Sequence, residues 1–133
     1  LNGADELDLV WSQTAFHSGM SWPKIEIAQI AKICHAEERI LKVIIETGYL
    51  SPDDLQALCE LCALARVDFV KTSTGFGKEG ANVAVVREMR RILPQNIQIK
   101  ASGGIRDRAF ALELLDAGAS RIGTSSGVKM LQP

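Results

Sequence analysis

Short apolar runs alternate with longer amphipathic stretches along this chain, and the alternation repeats from end to end. Leu7-Asp8-Leu9-Val10-Trp11 reads as a strand. Residues 24–39, after Pro23, carry Ile25, Ile27, Ile30, Ala31 and Ile33 at helical spacing. Leu41-Lys42-Val43-Ile44-Ile45-Glu46 is a second strand. Ser51-Pro52-Asp53-Asp54 then supplies an N-cap, a proline for the first turn and early acids for a helix reaching about Ala65. Residues 67–72 predict a third strand, 82–92 a third helix closed by Pro94, and 97–101 a fourth strand. A fourth helix over 107–116 is capped by Gly118, Arg121-Ile122-Gly123 is a short fifth strand, and 125–131 a short final helix.

Strand–helix repetition with little strict alternation predicts a parallel sheet covered by helices, so the fold class is α/β. Two architectures fit such units. An open doubly wound sheet would carry a Gly-rich turn after its first strand, and Ser12-Gln13-Thr14-Ala15 is not one. Polar residues fall instead at the C-terminal ends of successive strands, the pattern of a (β/α)8 barrel. A full barrel needs roughly 200 residues or more. The reading is therefore a single domain over 1–133, a partial TIM barrel of about five strands. About three units are expected to be missing on the N-terminal side, since the chain opens at Leu1-Asn2-Gly3 without a methionine.

Composition narrows the partners. Apolar residues make up 47%, charged residues 23%, and the net charge is -1, so nucleic acid is not expected as a partner. No run approaches the roughly 18 apolar residues of a membrane span, and no secretory signal opens the chain, so no membrane partner and a cytoplasmic location are expected. Cys34, Cys59 and Cys62 are read as free thiols. Cys59 and Cys62 form a C-x-x-C, but both fall mid-helix among leucines with no second ligand pair, so they are read as buried apolar side chains and no metal is expected.

Three lysines stand in predicted strands: Lys42, Lys71 and Lys100. Strand interiors disfavour lysine, and an unpaired buried ammonium is costly. In a barrel, inward residues converge, so these amines would be neighbours, with Asp8 offsetting part of their charge. Desolvation and a like charge both disfavour the ammonium, which makes such an amine a nucleophile toward carbonyls. The plainer alternative is that they are inward lysines salt-bridged to Asp8 and Glu46. Loops rich in glycine and hydroxyls follow the last three strands: Thr72-Ser73-Thr74-Gly75-Phe76-Gly77, Ser102-Gly103-Gly104-Ile105-Arg106 and Gly123-Thr124-Ser125-Ser126-Gly127. Such loops suit a phosphate, although simple turn geometry also favours glycine.

These same segments resemble the deoxyribose-phosphate aldolases. Val67-Asp68-Phe69-Val70-Lys71-Thr72-Ser73-Thr74-Gly75 is similar to their Schiff-base strand. Residues 42–48 and 99–106 are similar to two more of their strands, 121–127 to their last strand and phosphate loop, and 3–10 to the strand bearing an aspartate. The resemblance implies a (β/α)8 aldolase without metal or organic cofactor, acting on a phosphorylated sugar and a small aldehyde. It implies Lys71 as the imine-forming residue, Lys100 beside it lowering its pKa, and Asp8 working with Lys100 through water. It further implies Lys42 and Thr72 as auxiliary groups. Gly75, Gly103, Gly104, Arg106, Gly123, Ser125 and Ser126 would surround the phosphate. In some members a lysine stands where this chain has Phe76. His17 is read as a surface residue. Open sheet edges lead to an expected homo-oligomer. Two other readings stay open: a non-catalytic partial barrel acting as a folding or assembly unit, and another Schiff-base or phosphosugar barrel enzyme.

Overall fold

The computed structural model describes residues 3–132, so Leu1 and Asn2, on which the reading of an internal start rests, and Pro133 lie outside it. Five parallel strands form one sheet in the order β1-β2-β3-β4-β5: β1 Glu6–Val10, β2 Ile40–Ile44, β3 Phe69–Lys71, β4 Gln98–Ser102 and β5 Arg121–Gly123. Each strand pairs with the next in sequence and the order never reverses. A doubly wound sheet requires such a reversal, so this is barrel topology.

The helices between strands are α1 Gln13–His17, α2 Trp22–Ala36, α3 Pro52–Leu64, α4 Val83–Ile92 and α5 Arg108–Asp116, and α6 Gly127–Leu131 follows β5. Their starts follow local chemistry. Ser51 caps α3 through a full capping box with Asp54, Asn82 caps α4, and Asp107 caps α5. Helix α2 begins before Pro23, not after it, because the first turn has no use for the missing N–H. It ends at Ala36, short of Arg39, where Glu38 turns left-handed at φ 54°. Helix α1 escapes the periodicity argument, being only five residues long; Ser12 caps it. Strand β3 is shorter than residues 67–72, yet Asp68 N–H bonds to Leu41 O and Thr72 N–H to Lys100 O, continuing the ladder past both ends.

The two sheet faces differ. Leu41, Val43, Ile45, Val70, Ile99 and Ala101 point toward the helices and are fully buried against side chains such as Leu58, Cys62, Met89 and Leu114. The opposite face carries Glu6, Asp8, Lys42, Phe69, Lys71, Lys100 and Arg121, brought into line by the register Asp8↔Lys42, Ile44↔Lys71, Lys71↔Lys100 and Lys100↔Arg121. The outer strands are not hydrogen-bonded to one another, yet Arg121 of β5 reaches Glu6 of β1 at 2.6 Å. The sheet is therefore curved into a trough whose rims are bridged across the concave side.

Candidate active site

Asp8 sits two positions from Glu6 on β1, so both carboxylates face the trough. Lys42 lies beside them on β2, 4% exposed, with Nζ 2.9 Å from Glu6 Oε2 and 3.0 Å from Asp8 Oδ1. Lys71 Nζ donates to the second oxygen, Asp8 Oδ2, at 2.8 Å. Arg121 closes the row with a two-pronged contact on Glu6, its guanidinium 4.4 Å above the Phe69 ring. The result is an alternating series, Arg121, Glu6, Lys42, Asp8, Lys71, in which every anion lies between two cations.

Lys100 stands apart from this series. It is the register partner of Lys71 on the same face, but no carboxylate of the described residues lies within salt-bridge distance of it. Its pKa is lowered, first by loss of water and then by the Lys71 charge. Asp8 gives its free oxygen to Lys71 and not to Lys100. Asp8 itself stays below the usual carboxylate range: partial desolvation pushes it up, but hydrogen bonds from Lys71 and Lys42 outweigh this. Glu6 is drawn down to about 2, chiefly by its Arg121 contact.

Lys71 and Lys100 open into a cavity of about 510 Å³. Gly75, Gly103, Gly104, Arg106, Gly123 and Ser125, which the resemblance implies as phosphate-binding, line this cavity. Gly103 and Gly104 have φ of 88° and 72°, which lets the loop after β4 turn backbone toward the cavity. Gly123 serves Lys100 more than the cavity wall, since a Cβ there would stand 3.0 Å from Lys100 Cε.

Two predicted groups lie elsewhere. Thr72 is completely buried on the helix side, its hydroxyl donating to Ser102 O and accepting from Ser102 N–H, both at 3.0 Å. Ser126 stands at the start of α6, with its N–H on Thr124 Oγ1. Of the plainer alternative, the ion pairs to Asp8 are present for Lys42 and Lys71, but among the described residues Glu46 pairs with no lysine; its carboxylate receives Thr74. Phe76, at the cavity mouth, is 97% exposed. His17 is half-exposed and 3.8 Å from Asp54. Cys59 and Cys62 are buried in α3. Burial pushes Cys59 up to about 12 and Cys62 upward too, consistent with apolar packing. Sequence reading passed over Glu6 and the Arg121 side chain. The signal available was period two, since Glu6 and Asp8 must share a face if Asp8 points inward.

A family model described as DeoC/LacD family aldolase matches residues 1–133. A deoxyribose-phosphate aldolase of Thermococcus kodakarensis is 48% identical over 132 residues, covering 98% of this chain and 59% of its own length. One from Bacteroides thetaiotaomicron is 47% identical over 131 residues, with 98% and 55% covered. Among solved structures, an aldolase called QR15 superposes with a TM-score of 0.88 at 41% identity, covering 96% of this chain and 57% of that one. The tetrameric deoxyribose phosphate aldolase of Aeropyrum pernix gives 0.86 at 35%, covering 97% and 54%. The chain thus spans 55–59% of the length of these two curated relatives.

Proposed function

This chain belongs to the DeoC/LacD family of aldolases, and on that premise we propose that the protein reversibly cleaves 2-deoxy-D-ribose 5-phosphate to acetaldehyde and D-glyceraldehyde 3-phosphate through a lysine Schiff base. The observation that carries the proposal is the placement of Lys71 and Lys100 as register partners on one face, opening into one cavity walled by glycine-rich loops.

Lys71 is the proposed nucleophile. Its amine adds to the substrate carbonyl, water leaves, and the protonated imine accepts the electron pair released when the carbon–carbon bond breaks. The hydroxyl proton lost in that step goes to a base, the aldehyde fragment departs, and the enamine on Lys71 takes a proton at carbon. Hydrolysis then frees acetaldehyde and the amine. Lys100 is the group suited to moving these protons, because its lowered pKa leaves more neutral amine near neutral pH than an ordinary lysine has. Asp8 orients Lys71, and Lys42 holds Asp8. Backbone amides around Gly75, Gly103, Gly104 and Ser125, with Arg106, would receive the phosphate. This route calls for no metal or organic cofactor. Homo-oligomerisation and a cytoplasmic setting go with the proposal. Apolar Trp22, Ile25 and Ile33 are exposed along α2, and no described helix is long and apolar enough to cross a membrane.

Trapping with borohydride in the presence of acetaldehyde tests this. The expected product is one ethyl group on Lys71, absent in Lys71→Ala and formed roughly 10²–10⁴-fold more slowly in Lys100→Leu. A folded protein that gives no adduct on Lys71 sinks the proposal and leaves the non-catalytic partial barrel.

A further inference from the structure

Strand β2 ends on Ile44, and two residues later Glu46 turns left-handed at φ 53° and ψ 64°. A side-chain-bearing residue enters that region only when its surroundings fix it there. Gln13 of α1 contributes by donating to Glu46 O at 3.2 Å. The turn directs the Glu46 side chain into the loop that follows β3, away from the trough.

There the two carboxylate oxygens differ. Oε2 receives both donors of Thr74, the N–H at 3.1 Å and the hydroxyl at 2.5 Å. Oε1 is buried and has no hydrogen-bond partner among the described residues. What lies against it is Gly77: a Cβ there would be 2.8 Å from Oε1 and 3.2 Å from Tyr49 Cε2. Gly77 has no positive φ, so it is glycine for room and not for backbone freedom. The loop is fastened further along as well. Phe76 N–H donates to Thr74 Oγ1, Lys78 N–H to the Tyr49 hydroxyl, and Ala81 N–H to Gly103 O at 2.9 Å.

Thr74, Gly75 and Phe76 form one wall of the cavity, whereas Glu46 and Gly77 do not reach it. We propose that Glu46 is a positioning residue that sets this wall, and with it the affinity for the phosphorylated end of the substrate, while Gly77 supplies the space its carboxylate occupies. This rests on the aldolase reading only for the identity of the ligand. Because Glu46 takes both donors of Thr74 and Phe76 N–H is held by Thr74 Oγ1, the amides left for an anion at the cavity are those of Gly75 and, across it, of Gly103 and Gly104. Moving the wall therefore changes phosphate binding more than it changes imine formation.

The test uses Glu46→Ala, Glu46→Gln, Gly77→Ala and the Glu46→Ala/Gly77→Ala double variant of this chain. Inorganic phosphate is titrated while the backbone amides of Gly75 and Gly104 are followed by NMR. Glu46→Ala and Gly77→Ala are each expected to weaken phosphate about tenfold, as loss of an outer-layer support commonly does, with Glu46→Gln much nearer the parent. The double variant is expected to be no worse than Glu46→Ala, because the oxygen that the new methyl strikes is gone. Rates of borohydride trapping give a second readout: deoxyribose 5-phosphate relative to acetaldehyde should fall about tenfold in Glu46→Ala, whereas general loosening would lower both alike. Additive losses in the double variant, or an unchanged ratio, overturn the proposal. If the parent chain forms no adduct and takes no phosphate, the aldolase reading fails. Amide exchange at Thr74 and Phe76 without ligand then still decides the clamp: protection in the parent and Glu46→Gln but not in Glu46→Ala upholds it, and equal protection in all three refutes it.

Discussion

Asp8 divides its two oxygens between Lys42 and Lys71, and among the described residues no carboxylate is left to pair with Lys100. The asymmetry has a measurable consequence. Trace acylation with acetic anhydride, read by mass spectrometry across pH, should show Lys100 reaching half-maximal reactivity below the pH of an ordinary lysine, because desolvation and then the Lys71 charge favour its neutral form. In Lys71→Met one of those causes disappears, so the Lys100 midpoint should move back upward. A midpoint that stays put would mean that the two amines do not sense one another. The lysines themselves were legible in the sequence, since an ammonium inside an apolar strand pattern stands out. Glu6 was passed over although period two pairs it with Asp8, because Asp5-Glu6 at the start of a strand looks like the tail of a polar loop.

Helix α3 shows how far local chemistry carries an element. Its N-cap, first-turn proline and early acids are all sequence signals, and all are realised at Ser51, Pro52, Asp53 and Asp54, to which the structure adds a full capping box. Ser51→Ala should cost about 1 kcal/mol in chemical denaturation, the usual value of a lost N-cap. Its buried face offers a larger effect: Leu58 is completely buried, so Leu58→Ala should cost about 2–5 kcal/mol. The thiols of Cys59 and Cys62, also on that face, should resist iodoacetamide in the folded protein and react once it unfolds, because burial raises both pKa values. Rapid labelling of the native chain would show that α3 does not pack as described. Helix α1 marks the limit of such reasoning: five residues are too few for a hydrophobic period to register.

Across the whole molecule, the Glu6–Arg121 contact is the bridge that joins the first and last strands over the trough. Glu6 falls from the usual 4.5 to about 2, chiefly through the Arg121 hydrogen bond and then that of Lys42. A carboxyl lowered on folding contributes stability that is fully present above its unfolded value and is lost as pH falls toward the folded one. Stability should therefore decline between about 4.5 and about 2, and Glu6→Gln should flatten that part of the profile in denaturation midpoints taken against pH. Asp8, lowered as well, adds a decline of the same sign that survives the substitution. An unaltered profile in Glu6→Gln would remove the bridge from the account of the curvature.

The sequence by itself determined the five strands, the helices other than α1, their order and the barrel class. Helix caps, strand runs and glycine loops are local signals, and parallel strands joined by short helical crossovers leave few ways to pair. It also marked Lys71 and Lys100, because charge in an apolar pattern is anomalous wherever the strand goes. Only the tertiary structure decided which charges meet. Glu6 and Arg121 are 115 positions apart, and no pattern along the chain relates them. Which of the two lysines receives the Asp8 oxygen, and whether Glu46 faces an amine or a threonine, depends on sheet curvature and on a single left-handed turn. Pairing of charges is a matter of ångströms in space, and spacing along the chain fixes such distances only within one element.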